Sequence, residues 1–160
     1  MSDAVTLTFK KHFDTVYTVL EQAVELCPEA LWTEKVGGFY FWQQIVHVFG
    51  IIDLVCAETA DAPLSQNTYS SDIIRLLQDG ETTPAKGDVL SFAAQMKKIA
   101  QAYFARMTDD KLLTRNEYRT LRLGTEASQL DAMITLVGHG QYHVGICGAY
   151  FRDRGIKGIY

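Results

Sequence analysis

Between Phe39 and Ala60 the chain is apolar almost all round: Phe41, Trp42, Ile45, Val46, Val48, Phe49, Ile51, Ile52, Leu54 and Val55 leave no continuous polar face. A helix of that kind sits at the centre of its bundle or is also covered by a partner subunit. The first option requires other helices to surround it, and the second makes a homodimer an expectation. His47 lies in the middle of the segment. An imidazole there loses its hydration for nothing unless both ring nitrogens find partners. Gly50, three residues on, removes a side chain from nearly the same face and leaves room beside the ring.

Three further segments have the period of an amphipathic helix. From Thr6 to Leu26, Phe9, Phe13, Val16, Tyr17, Leu20 and Val24 recur at three- and four-residue steps, and Pro28 ends the helix, with one further turn expected over Pro28 to Trp32. Thr83-Pro84 reads as N-cap and first position of a helix carrying Val89, Phe92, Met96, Ala100, Tyr103 and Phe104. Ser128 and Asp131 read as a capping pair before a last helix that continues to Tyr150 and Phe151 and closes at Gly155. Residues 61–83 lose the period except for a short helix after Ser71 as cap, and 111–127 read as a loop with a short extended piece. The expectation is an all-α protein: one domain over 1–160, a four-helix bundle whose long crossover connection between helices 2 and 3 lets those two run parallel.

The last helix carries His139-Gly140-Gln141-Tyr142-His143. Four residues turn a helix by about 400°, so the two imidazoles share one face about 6 Å apart along the axis. With His47 from the second helix they form a candidate metal site of three neutral imidazoles, suited to zinc, nickel, copper or ferrous iron rather than calcium or magnesium. Three protein ligands leave a position open, as catalytic metal sites do. Gln43, Gly50, Gly140 and Cys147 are the candidate pocket residues around it. The plainer alternative stands beside this one: histidines on apolar helices are often hydrogen-bonded core residues, and Cys147 is a core thiol before it is a fourth ligand. Gly138, Gly140, Gly145 and Gly148 each cost about 1 kcal/mol against alanine inside a helix. Either a closely approaching helix or space for a ligand would account for them. Gly140 also stands where His-Glu-x-x-His metalloproteases place their general base, so peptide hydrolysis of that type is not expected. Asp53 falls on the far side of the second helix, and His12 among Lys10, Lys11 and Asp14 belongs to a solvated face.

These two motifs, Phe39 to His47 and His139-Gly140-Gln141-Tyr142-His143-Val144-Gly145, resemble those of the DinB/YfiT-like metalloenzyme superfamily, and helix order and length agree over nearly the whole chain. The resemblance implies a four-helix bundle with a long connection between helices 2 and 3, a divalent metal such as nickel or zinc on His47, His139 and His143, and often a homodimer. Its members include S-transferases that use a low-molecular-weight thiol and YfiT-like metal-dependent hydrolases, while many have no assigned reaction. Gly140, often glutamate in the family, and Ile146, in place of a frequent glutamine, depart from the pattern.

The expected function is divalent-metal binding in an enzyme that activates water or a small thiol cofactor for transfer or hydrolysis on a small-molecule substrate. The rival is a non-catalytic metal- or ligand-binding stress-response module. A net charge of -4 gives no basic footprint for nucleic acid. No apolar run approaches a bilayer span, and Met1-Ser2-Asp3 lacks the layout of a signal peptide, so a cytoplasmic protein is expected. Three widely spaced cysteines, Cys27, Cys56 and Cys147, read as free thiols.

Overall fold

The computed structural model describes residues 3–57, 59 and 61–157. It is all-α apart from one two-stranded hairpin. Helix α1 (Ala4–Leu26) buries Phe13, Val16, Tyr17, Leu20, Ala23 and Val24, the stripe its periodicity predicts. It has no cap of its own. Asp109, more than a hundred residues on, accepts from the Val5 and Thr6 N–H groups and from the Thr6 hydroxyl, which satisfies free donors of its first turn. The Thr6 N–H bond holds the Asp109 carboxyl below its usual range.

The turn expected after Pro28 forms as α2 (Glu29–Trp32). Gly37 and Gly38 then adopt φ values of +60° and +92° and join β1 (Lys35–Val36) to β2 (Phe39–Tyr40), a pairing that needs positive φ at both central residues. Phe39 and Tyr40, expected as the start of the second helix, are therefore strand residues, and α3 spans Phe41–Val55. Ala60, the expected end of that segment, lies outside the described residues.

The connection from α3 to the next long helix carries only α4 (Ser71–Ile74), capped by Ser70 rather than by Ser71: the Ser70 hydroxyl accepts from the Ile73 N–H. Helix α5 (Lys86–Arg106) begins after Ala85, two residues beyond the expected Thr83 cap. The reason is Trp32, whose indole N–H takes the Pro84 carbonyl at 2.8 Å and holds Pro84 in the connection. Residues 117–123 correct the loop expectation: Glu117–Leu123 is helix α6, capped by Asn116 and ended by Gly124 at φ +67°. Its Leu121 and Leu123 alternate with Arg122 as a strand would, yet both are exposed, so the alternation carries no burial. The short extended piece read from that alternation does not form, and a single antiparallel bridge instead pairs Arg115 with Ser128.

Helix α7 (Gln129–Arg152) starts with the expected pair, the Ser128 side chain accepting from the Asp131 N–H while the Asp131 carboxylate takes the Ser128 N–H. Gly155 follows at φ +71°. Helix α1 packs on α7 and α5, and α3 packs on α5, α7 and α4. Buried Asn116 joins α3 to the start of α7, donating to the Val55 carbonyl and to Gln129 Oε1. All three cysteines are free and buried. No helix among the described residues is long and apolar enough to cross a membrane.

Candidate metal centre

Helices α3 and α7 pack against each other and bring His47, His139 and His143 together. His139 Nε2 lies 3.0 Å from His47 Nε2 and 3.1 Å from His143 Nε2. His143 is buried, while His47 and His139 are half-buried. Among the described residues this is the one group of three histidine, cysteine or carboxylate side chains whose ligand atoms converge, all within 4.8 Å.

The tautomer of His47 follows from its other nitrogen. Nδ1 stands 2.5 Å from the Ile74 carbonyl oxygen, which only accepts, so Nδ1 carries the proton and Nε2 presents its lone pair to the cluster. Burial lowers the pKa of all three rings. For His47 that is the leading cause; His139 falls to about 4, with help from the neighbouring His47 charge, and His143 to about 2, with help from both neighbours. All three are therefore neutral near pH 7, each with one proton.

Neutral rings do not satisfy this arrangement alone. If His139 Nε2 carries its proton, one hydrogen is shared between two acceptors. If it does not, its lone pair faces the lone pair of His47. Either way the two contacts cannot both be full hydrogen bonds. A divalent cation, which takes neutral imidazole nitrogens as ligands, would accept every lone pair of the converging group and so resolve the conflict. The residues present fit a metal ion.

The remaining candidates have other tasks. Gln43, one turn before His47, is fully buried and turned to the α3–α5 connection, donating to the Gln78 carbonyl and accepting from the Gly80 N–H. The space left by Gly50 is filled by the Ile74 side chain, which an added Cβ would meet at 2.8 Å. Gly140 faces α1, where a Cβ would stand 2.5 Å from Val16; Gly138 and Gly145 face open space. Cys147 is buried outside the converging group, and burial raises its thiol to about 12. Asp53 is also apart, accepting from the N–H and hydroxyl of Ser65. The support that sequence reasoning missed is the Ile74 carbonyl, a backbone group at the end of the short helix α4, whose role no side-chain pattern announces.

The depressed histidines make stability depend on pH. Their folded values lie below the ordinary 6.5, so the unfolded chain takes up protons first. Metal-free protein keeps this stability above about pH 6.5 and loses it as pH falls towards about 4. Its melting temperature is expected to fall by about 5 °C or more between pH 7 and pH 5, and by less in His139→Gln. A flat profile in chelator-treated protein would contradict the assignment.

Comparison with known protein families, curated proteins and solved structures finds no match for this chain.

Proposed function

We propose that this chain is a divalent-metal protein of DinB-like four-helix-bundle form, with α1, α3, α5 and α7 as the bundle, a crossover between α3 and α5, and His47, His139 and His143 as ligands. The observation that carries the reading is the convergence of three Nε2 atoms whose proton count leaves them in conflict without a cation. Nickel and zinc suit the donor set best, with iron as a third choice. In this reading the protein is an enzyme that activates water or a low-molecular-weight thiol for transfer or hydrolysis on a small substrate. A bound ion would supply Lewis acidity, lowering the pKa of water or holding a thiol as thiolate. The chain's own part is to fix the His47 tautomer through Ile74 and to keep all three rings neutral by burial.

The test is elemental analysis of protein purified without a histidine tag. About one equivalent of metal is expected in the wild type and none in His143→Ala; equal content in both overturns the reading. A second reading, a metal-binding module without turnover, is favoured by one observation: among the described residues the converging group holds three histidines and no carboxylate or thiol that could act as acid or base beside them. Thiol-dependent consumption of an electrophilic substrate by loaded protein, lost in His143→Ala, decides for the enzyme.

A homodimer belongs to the same proposal, but its support moves from α3 to α7. Helix α3 is covered by its own chain, whereas α7 exposes Ile134 at 51% and Tyr142 at 64% of their surface, with Gly138 and Gly145 open beside them. Sedimentation is expected to give a dimer at micromolar concentration, and a monomer there refutes it.

A further inference from the structure

Two short elements packed on α3, the end of α4 and the helix α6, border a pocket of about 170 Å³ lined by Arg75, Tyr118, Leu121 and Arg122. That is room for one charged group rather than for a whole organic ligand, which takes about 300 Å³ or more. Both walls are locally fixed. Arg75 ends α4 in a closed turn, where Leu76 at φ +55° gives its N–H to the Ile73 carbonyl and Leu77 gives its own to that of Asp72. Helix α6 carries the other three residues, held at its start by the Asn116 cap and at its end by Gly124.

Tyr118 is only 8% exposed, and its hydroxyl has no hydrogen-bond partner among the described residues. It differs in one respect from the unpartnered hydroxyl of Tyr69, which is shut off from solvent: the Tyr118 oxygen is not among the shielded atoms, so it keeps some accessible surface. A residue so deeply buried has little surface to give, and it gives it to this pocket. The phenol O–H therefore stands in the pocket wall as a free donor.

Arg75 and Arg122 come to the same pocket from different elements, and no carboxylate belongs to the lining. Neither has an ion-pair or hydrogen-bond partner among the described residues, whereas Arg106 donates to the Cys56 carbonyl, Arg115 pairs with Glu117 and Arg154 with Glu34. Two unpaired arginines on one small pocket repel each other, and an anion between them removes the repulsion. A carboxylate would cancel one of the two charges and offer two oxygens. A phosphoryl dianion cancels both and offers three oxygens, one for each guanidinium and one for the Tyr118 hydroxyl.

We infer that this pocket binds a dianionic phosphoryl group, with Arg75 and Arg122 as its charge partners and the Tyr118 hydroxyl as a third donor. Leu121, 68% exposed in the same lining, offers an apolar surface to an organic body attached to that group. The pocket shares no residue with the histidine cluster and does not depend on a metal there.

Inorganic phosphate and phenyl phosphate, both largely dianionic at about pH 7.5, are the probes, and benzoate, with one charge and two oxygens, is the control. Titrated into nitrogen-15-labelled full-length protein, each phosphate is expected to shift the backbone N–H resonances of Arg75, Leu121 and Arg122 saturably. Tighter binding of phenyl phosphate than of inorganic phosphate assigns the group to a monoester, and otherwise to the free ion; both support the site. Benzoate should bind about tenfold more weakly than phenyl phosphate. The double variant Arg75→Gln with Arg122→Gln should weaken phenyl phosphate about twentyfold, and Tyr118→Phe about fivefold with an unchanged melting temperature, because that hydroxyl bonds no other described group of the chain. Lys98→Gln, which removes an exposed cation elsewhere, should leave binding unchanged, and so should His143→Ala, so loss of the metal reading leaves this one standing. No saturable shift at about 10 mM phenyl phosphate, benzoate bound as tightly, or binding that survives the arginine double variant or is lost in His143→Ala, overturns the inference.

Discussion

Zinc added in large excess to metal-free protein is expected to raise its melting temperature by about 10 °C, and to leave His139→Ala nearly unmoved. A ligand at about a thousand times its dissociation constant stabilises the folded state by about 4 kcal/mol. For a chain of this length that energy corresponds to roughly 10 °C. His139 is the informative position because its Nε2 stands between the other two, at 3.0 and 3.1 Å, so its loss leaves His47 and His143 with no shared neighbour. Calorimetric or fluorescence-monitored melting with and without metal measures the difference. An equal rise in both proteins would place the zinc elsewhere.

Gly140→Glu is expected to be the most damaging single change near the site, costing about 4 kcal/mol or more. Gly140 is buried against α1, and a Cβ there already falls 2.5 Å from Val16. A carboxylate at that place has neither room nor a cation partner, and overpacking adds to the cost of burying its charge. Since whole domains are stable by about 5–15 kcal/mol, much of the protein would unfold. Gly140→Ala should cost about 1–2 kcal/mol, the clash being offset in part by the gain in helix propensity. Urea denaturation reads both, and an unchanged midpoint for the glutamate variant would refute the packing argument.

The legible features were those whose signal is local. His139 and His143 are read from a four-residue spacing, and the Ser128–Asp131 cap from a three-residue one; both stand in the structure as expected. His47 was harder, since its partners lie more than ninety residues away, yet its burial in an apolar helix demanded an explanation. What escaped depends on contacts between distant segments. The start of α5 is set by Trp32 on Pro84, the room beside Gly50 is taken by Ile74, and Gln43 is drawn to Gln78 and Gly80. Helix α6 escaped for a different reason: on a short exposed helix, Leu121 and Leu123 need not follow the helical period that burial imposes.

Alanine scanning of this protein would meet a blind spot at Ile74. The group that orients His47 there is a carbonyl oxygen, which every residue type supplies, so truncating the side chain leaves the bond in place. Ile74→Ala would instead empty the space over Gly50 and register as a packing defect. A map of the site drawn from side-chain losses alone would thus show three histidines and omit the support that aims one of them. Only a change to the backbone itself, such as replacing the amide that follows Ile74 by an ester to weaken its carbonyl as an acceptor, would bring that support into view.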